Sequence, residues 1–216
     1  MGSRALLKAV SAGRPRQVRL LLDSGVDPND TDDLGQTPVI SSHLYRTSKN
    51  REKIVRMLLK RGGVVSQADV VGRSALLWAC LYGREAEVSL LLEYADLDLD
   101  LNRSDINGQT ALFHAASSGN AASVKLMVGA MMKYELSVDV PDHCGITPLM
   151  QTVRLGYDIC SSILIHHGKA RTGLRAKYPE DFIKAEMWAV KAHCKRETEV
   201  RNVTAFPPIL SQASKN

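Results

Sequence analysis

A short sequence pattern recurs five times along this chain and constrains its fold more than any other feature. It consists of Asp, two variable residues, Gly, one residue, Thr or Ser, a small residue and an apolar pair, and its clearest copies are residues 105–113 and 142–150. Aligned on the Thr or Ser, the copies follow one another at intervals of 33, 37, 36 and 37 residues. This period predicts a solenoid of stacked units, in which each unit packs only on its neighbours. A stack of this kind presents one long surface and no deep catalytic pocket, so we expect no enzyme. The five anchors are Arg4 (in an imperfect copy), Thr37, Ser74, Thr110 and Thr147.

Each copy predicts a helix, a tight turn, a second helix and a glycine cap. Thr37-Pro38 and Thr147-Pro148 place a capping oxygen just before a proline in the first helical turn. The glycine two residues before each of these anchors supplies the positive φ of a turn. Leu20–Leu22 and Leu90–Leu92 are expected to form the buried seam of the second helix, and Gly25 and Gly168 its C-terminal caps.

The pattern resembles that of the ankyrin repeat family, D-x-x-G-x-T-P-L-H-x-A-A-x-x-G followed by I-V-x-x-L-L-x-x-G-A. The resemblance covers about residues 3–170. It implies an all-α solenoid of helix-turn-helix units with short β-turn finger loops. The repeats are expected near residues 3–31, 32–68, 69–104, 105–141 and 142–170.

The chain departs from the family pattern in three respects, the first being Ser42-His43 in the second copy, where the family has two alanines. The family histidine is apolar in every copy, so apolar packing is expected to replace its hydrogen bonds. Extra residues occur near 47–51, 94–101 and 131–137, where we expect them to lengthen the turn between two helices or the finger loop. The apolar replacements are Leu7, Ile40, Leu77, Phe113 and Met150.

After the repeats the pattern fades. Pro179-Glu180-Asp181 has the composition of a helix start. Because a broad apolar face follows, residues 171–201 are expected to form a C-terminal capping helix on the fifth repeat. Residues 202–216 are read as a flexible tail.

Charge and cysteine usage limit the class of partner and the compartment. The net charge is +5, but residues 1–61 carry +6, residues 62–165 carry −6 and residues 166–216 carry +5. The basic ends could meet phosphates of nucleic acid or lipid, although basic helix faces more often meet water or acidic protein segments. The four cysteines form no CxxC pair, which favours a reducing compartment, the cytoplasm or the nucleus.

No group of residues has the pattern of a catalytic or metal site. The notable pairs are His166-His167, His143-Cys144 and His193-Cys194, but adjacent side chains point about 100° apart on a helix, so a pair alone does not chelate zinc well. Cys144 beside His143 on a finger loop could be a reactive thiol, but no third group is in place to orient the pair. Asp96, Asp98 and Asp100 alternate with leucines but lack the glycine and glutamate of a calcium loop. No nucleotide-binding or hydrolase motif occurs. We therefore expect no catalytic residue, no metal and no cofactor.

The resemblance implies that partners bind the concave face, formed by the finger tips and the outward side of the first helix of each repeat. Trp, Tyr and Arg dominate interface hot spots, and several lie together in the second and third copies. The alternative is that Trp78 and Tyr82 pack inward or under an insertion. The residues that the family pattern places on this face are Leu44, Tyr45, Val70, Val71, Arg73, Trp78, Leu81, Tyr82, Ile106, Gln109, His114, Ser117, His143, Ile146 and Arg154.

The sequence thus predicts a non-enzymatic protein–protein interaction module or adaptor, monomeric, that binds a peptide segment or domain of another protein. One alternative is a targeting module that acts on membranes or nucleic acid through the basic ends, although we expect neither to be the partner. Another is a regulatory domain of a larger protein.

Overall fold

The computed structural model describes residues 2–44, 50–94 and 100–173, except for the side chains of residues 2, 3 and 44. Within these ranges the chain forms five helix pairs, and the only β-type pairings are two isolated bridges in the finger loops. This confirms the all-α solenoid. The first helices of the pairs are α1 (Gly2–Ser11), α3 (Pro38–Leu44), α5 (Ala75–Leu81), α7 (Ala111–Ser118) and α9 (Pro148–Arg154). The second helices are α2 (Pro15–Asp23), α4 (Arg51–Lys60), α6 (Glu85–Glu93), α8 (Ala121–Lys133) and α10 (Asp158–His166).

The local start signals read from the sequence are confirmed. The hydroxyl oxygens of Thr37, Ser74, Thr110 and Thr147 each accept a hydrogen bond from the backbone N–H three residues later, at 3.2–3.4 Å. These oxygens satisfy one of the backbone donors that the first turn leaves unpaired. The glycines of the finger turns have φ values of +70° to +80°, as the turns require.

A ladder of backbone hydrogen bonds joins the finger loops of neighbouring repeats. Val70 N–H donates to Leu34 C=O and Ile106 N–H donates to Val71 C=O, both at 3.1 Å. His143 N–H donates to Asn107 C=O at 3.0 Å. The ladder fixes the spacing of the finger tips along one edge of the solenoid.

The opposite edge, where the two helices of each repeat turn, carries a second set of contacts between repeats. The residue before each second helix reaches back to the preceding turn. Asn50 donates to Gly13 C=O at 3.3 Å, Asn120 donates to Gly83 C=O at 2.9 Å, and Arg84 donates to His43 C=O. The Tyr157 ring lies so close to Gly119 that a Cβ there would come within 2.7 Å of it.

The core consists of aliphatic side chains, alanines and methionines between the two helical layers. Ile40, Leu77, Phe113 and Met150, which replace the family histidine, are all buried in it. Apolar packing therefore takes over that position in four repeats. Ala79 and Ala115, also buried, allow α5 and α7 to approach each other closely.

Three local expectations are wrong. Residues 131–133 continue α8 instead of entering a loop, since the extra turn buries Met131 on the same side as Met127 and Val128. Leu20 is 69% exposed, because Val18 and Leu22 already occupy the inward side of α2. The positive φ expected at Gly168 occurs at Lys169, whereas Gly168 is needed for space, since a Cβ there would lie 2.7 Å from Leu164 C=O.

The C-terminal cap and tail proposed from the sequence lie outside the described residues from position 174 onward, as do residues 47–49 and 95–99 of two insertions. The limits of the individual repeats stay a prediction.

His43 occupies a position where the family has alanine, and it is fully buried at the end of α3. Neither ring nitrogen has a hydrogen-bond partner among the described residues. Arg51 and Arg84 lie nearby and donate to the Ser42 and His43 carbonyls. Burial, followed by the charges of Arg84 and Arg51, lowers the pKa of His43 to about 3.

This shift predicts a loss of stability in mild acid. The unfolded chain takes up a proton at His43 below pH 6.5, whereas the folded protein does not until about pH 3. The contribution of neutral His43 to the free energy of unfolding is therefore fully present above pH 6.5. Below that pH the free energy of unfolding falls by about 1.4 kcal/mol per pH unit, or about 2 kcal/mol by pH 5. Urea denaturation of wild type and of His43→Leu at several pH values measures the slope. An equally steep slope in both proteins would contradict the assignment to His43.

Candidate functional site

A column of aromatic and arginine side chains lies along the exposed side of α5, in the third repeat. The Trp78 and Tyr82 rings stack with their centroids 5.8 Å apart and an interplanar angle of 20°. The guanidinium of Arg73 lies 4.9 Å from the Trp78 ring centroid, and that of Arg84 lies 4.4 Å from the Tyr82 centroid. Both distances are within the range of cation–π attraction. We call Arg73, Trp78, Tyr82 and Arg84 the aromatic column.

The finger loop of the same repeat holds the indole of the column in place. Trp78 Nε1–H donates to Asp69 Oδ2 at 2.9 Å. The other oxygen of Asp69 accepts from the backbone N–H groups of Val71 and Arg73, at 3.1 and 2.9 Å. Trp78 is half-buried and also packs against the core. Its ring is thus fixed before any partner arrives, which lowers the entropic cost of binding.

The finger loop of the fourth repeat holds the arginine at the base of the column. Arg73 Nε–H donates to Asp105 Oδ2 at 3.0 Å, and His114 Nε2 lies 3.1 Å from the same oxygen. Asp105 Oδ1 accepts from the backbone N–H groups of Asn107 and Gln109. Two neighbouring repeats therefore build the column together.

The ionisation of this cluster follows from its hydrogen bonds. Burial alone would raise the pKa of Asp105, but the bonds from Asn107 N–H, Arg73, Gln109 N–H and His114 outweigh burial and lower it. Burial lowers the pKa of His114, although the hydrogen bond and charge of Asp105 oppose that shift. Asp105 is therefore an anchored carboxylate whose role is to orient Arg73.

An aliphatic ridge runs along three neighbouring finger tips beside the column. Leu34, Val70 and Ile106 are 54%, 66% and 62% exposed. The backbone ladder joins their loops, which keeps the three side chains at neighbouring positions. Isolated exposed aliphatic residues are ordinary, but a row next to fixed aromatic rings is typical of a binding surface. We call these three residues the fingertip ridge.

The layer of first helices, which carries the column, has no acidic residue in its described helices. The five first helices contain no Asp or Glu, whereas the second helices contain six. Arg4, Lys8 and Arg154 are on the first helices, and Arg73 and Arg84 flank α5. None of the described carboxylates of the acidic middle segment therefore lies on a first helix. Its described carboxylates lie on second helices, in finger loops and in connections.

The structure places five of the fifteen predicted partner-binding residues in the column or the ridge. Val70, Arg73, Trp78, Tyr82 and Ile106 belong to the column or the ridge, and Tyr82 is 41% exposed. Tyr82 therefore does not pack inward, whereas Trp78 contributes to both surface and core. The insertions under which the two rings could have packed lie largely outside the described residues. Val71, Leu81, Gln109 and Ser117 are half-buried, and His143 and Arg154 are exposed on the fifth repeat.

Two of the predicted surface residues are buried instead. His114 is only 3% exposed, because Asp105 draws its ring into the cluster between repeats. Ile146 occupies the position of Arg73 and Gln109 in the pattern, but its apolar side chain joins the core. The side chain of Leu44 and all of Tyr45 lie outside the described residues.

Sequence reasoning missed Leu34, Asp69 and Arg84. Leu34 stands in the same register before Thr37 as Val71 does before Ser74, so the pattern could have identified it. Asp69 stands out in the sequence only as part of the repeat pattern. Its bond to Trp78 requires the three-dimensional fold, and so does the position of Arg84 over Tyr82.

The described residues offer little for other kinds of chemistry. Among them, no group of three or more His, Cys, Asp and Glu side chains could hold a metal ion. Within the same ranges, none of the helices has the length and apolar character needed to cross a membrane.

Comparison with known proteins agrees with the geometry. The profile of the family described as "Ankyrin repeats" matches residues 6–105, 44–142 and 97–176. "Ankyrin repeat domain-containing protein 63" of Mus musculus is 29% identical over 166 residues, which cover 76% of this chain and 42% of that protein. "Ankyrin repeat and SOCS box protein 6" of Mus musculus is 31% identical over 123 residues, which cover 56% of this chain and 28% of that protein. The chain thus spans less than half the length of these relatives.

Proposed function

Because the chain belongs to the ankyrin repeat family, whose members generally mediate protein–protein interaction, we propose that it is a non-enzymatic adaptor that binds a segment of another protein on its concave face. The binding surface in this proposal is the aromatic column together with the fingertip ridge. The proposal includes a monomeric state and a location in the cytoplasm or nucleus. Free cysteines at positions 80, 144 and 160 suit such a reducing compartment.

One observation carries the proposal: buried carboxylates hold the Trp78 indole and the Arg73 guanidinium in place, Tyr82 stacks on the indole, and part of this surface stays exposed. Large, rigid side chains of these types contribute most to the affinity of protein interfaces. The carboxylates fix their orientation in the free protein, so little conformational entropy is lost on binding.

Tyr82→Ala tests this proposal. Tyr82 is partly exposed and is not part of the buried core, so its loss removes interface area with little effect on folding. We expect partner affinity to fall by at least about tenfold, while the melting temperature stays within a few degrees of wild type. Affinity pull-down with quantitative mass spectrometry measures the first quantity, and circular dichroism measures the second.

Leu20→Ala is the matched control, since it removes an exposed apolar side chain from α2, a helix of the other layer. Partners that are lost with Tyr82→Ala and kept with Leu20→Ala support the proposal. Trp78→Ala should act in the same direction as Tyr82→Ala. If both aromatic variants unfold, the rings are core residues and the proposal is wrong.

A further inference from the structure

Both arginines of the aromatic column keep donor groups available for a ligand. Arg73 uses Nε–H for Asp105, and no hydrogen bond within the described part of the chain involves its two terminal nitrogens. Arg84 uses one terminal nitrogen for His43 C=O. Two guanidinium groups, each with only some of its N–H donors used inside the protein, therefore lie beside the aromatic rings.

The surroundings leave positive charge at Arg84 incompletely balanced. Burial and the nearby charge of Arg51 lower the pKa of Arg84, and the charge of Glu87 offsets this only in part. Glu87 itself pairs with Arg51, 3.5 Å away. A carboxylate supplied from outside would restore the balance.

The layer around the column has few anionic groups that could compete for this role. The first helices contain no Asp or Glu within the described ranges. Asp69 and Asp105 are buried and already engaged within the protein. Among the described finger tips, the second repeat presents an exposed carboxylate at Asp33, and the third and fourth present Val70 and Ile106 at that position. Within the described part of this layer, little further negative charge is therefore available to Arg73 and Arg84.

The arrangement suits an acidic peptide better than a nucleic acid. Single-stranded nucleic acid binds by stacking its bases on open aromatic faces and by pairing many phosphates with a run of cations. Here the Trp78 and Tyr82 rings stack on each other, and a guanidinium group lies over each ring. A ligand therefore meets the edges of the rings more than their open faces. The fingertip ridge beside them is aliphatic and matches apolar side chains.

We infer that the segment bound on the concave face is an acidic peptide: its carboxylates pair with Arg73 and Arg84, and its apolar side chains lie on the fingertip ridge and the ring edges. This inference rests on the proposed function and specifies the chemistry of the partner. Guanidinium and carboxylate groups form paired, charge-assisted hydrogen bonds, which would fix the register of the peptide along α5.

Selection of displayed peptides tests the inference while the partner is still unidentified. A random library of peptides about twelve residues long is selected on the full chain, and clones whose binding is lost with Tyr82→Ala are kept. We expect these clones to be enriched in Asp and Glu next to aliphatic or aromatic residues. A synthetic peptide from this set is then compared with a twin whose acids are replaced by Asn and Gln. The twin should bind wild-type protein at least about tenfold more weakly in fluorescence anisotropy.

The comparison of twin peptides uses unaltered protein, so it holds even if an arginine variant fails to fold. On the protein side, Arg73→Gln should weaken binding of the acidic peptide by about tenfold. Arg19→Gln, which changes an exposed arginine on α2 in the other layer, should weaken it by less than about twofold.

Several results would overturn the inference. Clones that depend on Tyr82 but show no enrichment in acids, or twins of equal affinity, would overturn it while leaving the proposed function intact. If no clone depends on Tyr82, the proposed function fails as well. A fluorescein-labelled oligothymidylate that binds in an Arg73-dependent manner at physiological salt, in place of any acidic peptide, would assign the surface to nucleic acid.

Discussion

Asp105→Ala is expected to lower the free energy of unfolding by about 3 kcal/mol, because it removes one member of a buried ion pair. The carboxylate of Asp105 is fully buried and binds Arg73, His114 and two backbone N–H groups. Its loss leaves a guanidinium and a buried imidazole without their partner, at the junction of the third and fourth repeats. Urea denaturation followed by circular dichroism measures the change.

Asp142→Ala is the matched control, since Asp142 has the same place in the fifth repeat. Among the described residues, its carboxylate accepts only from the backbone N–H groups of Cys144 and Ile146. We expect a loss of about 1 kcal/mol for this variant. Asp69→Ala should fall between the two, because Asp69 binds an indole N–H in addition to the backbone. Equal losses of unfolding free energy at all three positions would show that only the backbone hydrogen bonds of the finger turn contribute. The side-chain contacts of Asp105 and Asp69 would then add no stability.

Gly108→Ala is expected to cost about 3 kcal/mol for a different reason. The residue has φ +78°, which strains any side chain by about 1–2 kcal/mol. In addition, a Cβ at this position would lie 2.9 Å from the backbone nitrogen of His143 and 2.5 Å from its ring. That nitrogen donates the ladder hydrogen bond to Asn107, so the overlap pushes the fourth and fifth finger loops apart.

Gly156→Ala separates the backbone strain of a positive φ from the steric overlap between finger loops. Gly156 has a similar φ of +75°, but a Cβ added there would have no described atom outside its immediate chain neighbours within 4 Å. This variant should therefore show the strain alone, about 1–2 kcal/mol. The melting curves of both variants give the comparison. If they are equally destabilised, contact between the fingers is not what requires glycine at position 108.

The features predicted correctly from sequence are those that neighbouring residues decide. The capping oxygens of Ser74 and Thr110 act within one helical turn, and the turn glycines act within one loop. Such interactions have the same geometry in every copy, so the repeat pattern carries them. The aromatic column can be located from sequence because Trp78 and Tyr82 are four residues apart and must share one side of a helix.

The site residues that were placed wrongly depend on which side chains the fold brings together in three dimensions. His114 and Trp78 occupy the same position in their copies, yet one is buried and the other reaches the surface. Each ring bonds to the Asp at the start of its own copy. Asp105 also accepts from Arg73 of the preceding copy, a contact that the repeat pattern does not encode. Ile146 is buried for a simpler reason, since an apolar side chain at that position can enter the core where an arginine does not.

The two sets of contacts between repeats lie at opposite edges of the solenoid, the backbone ladder at the fingers and the reaching side chains at the helix turns. If neighbouring repeats were joined along one edge only, they could rotate about that edge, which would widen or narrow the concave surface. Because both edges are joined, opening at either one has to break hydrogen bonds or separate the Tyr157 ring from Gly119. Contacts at both edges therefore oppose any change in the curvature of the solenoid.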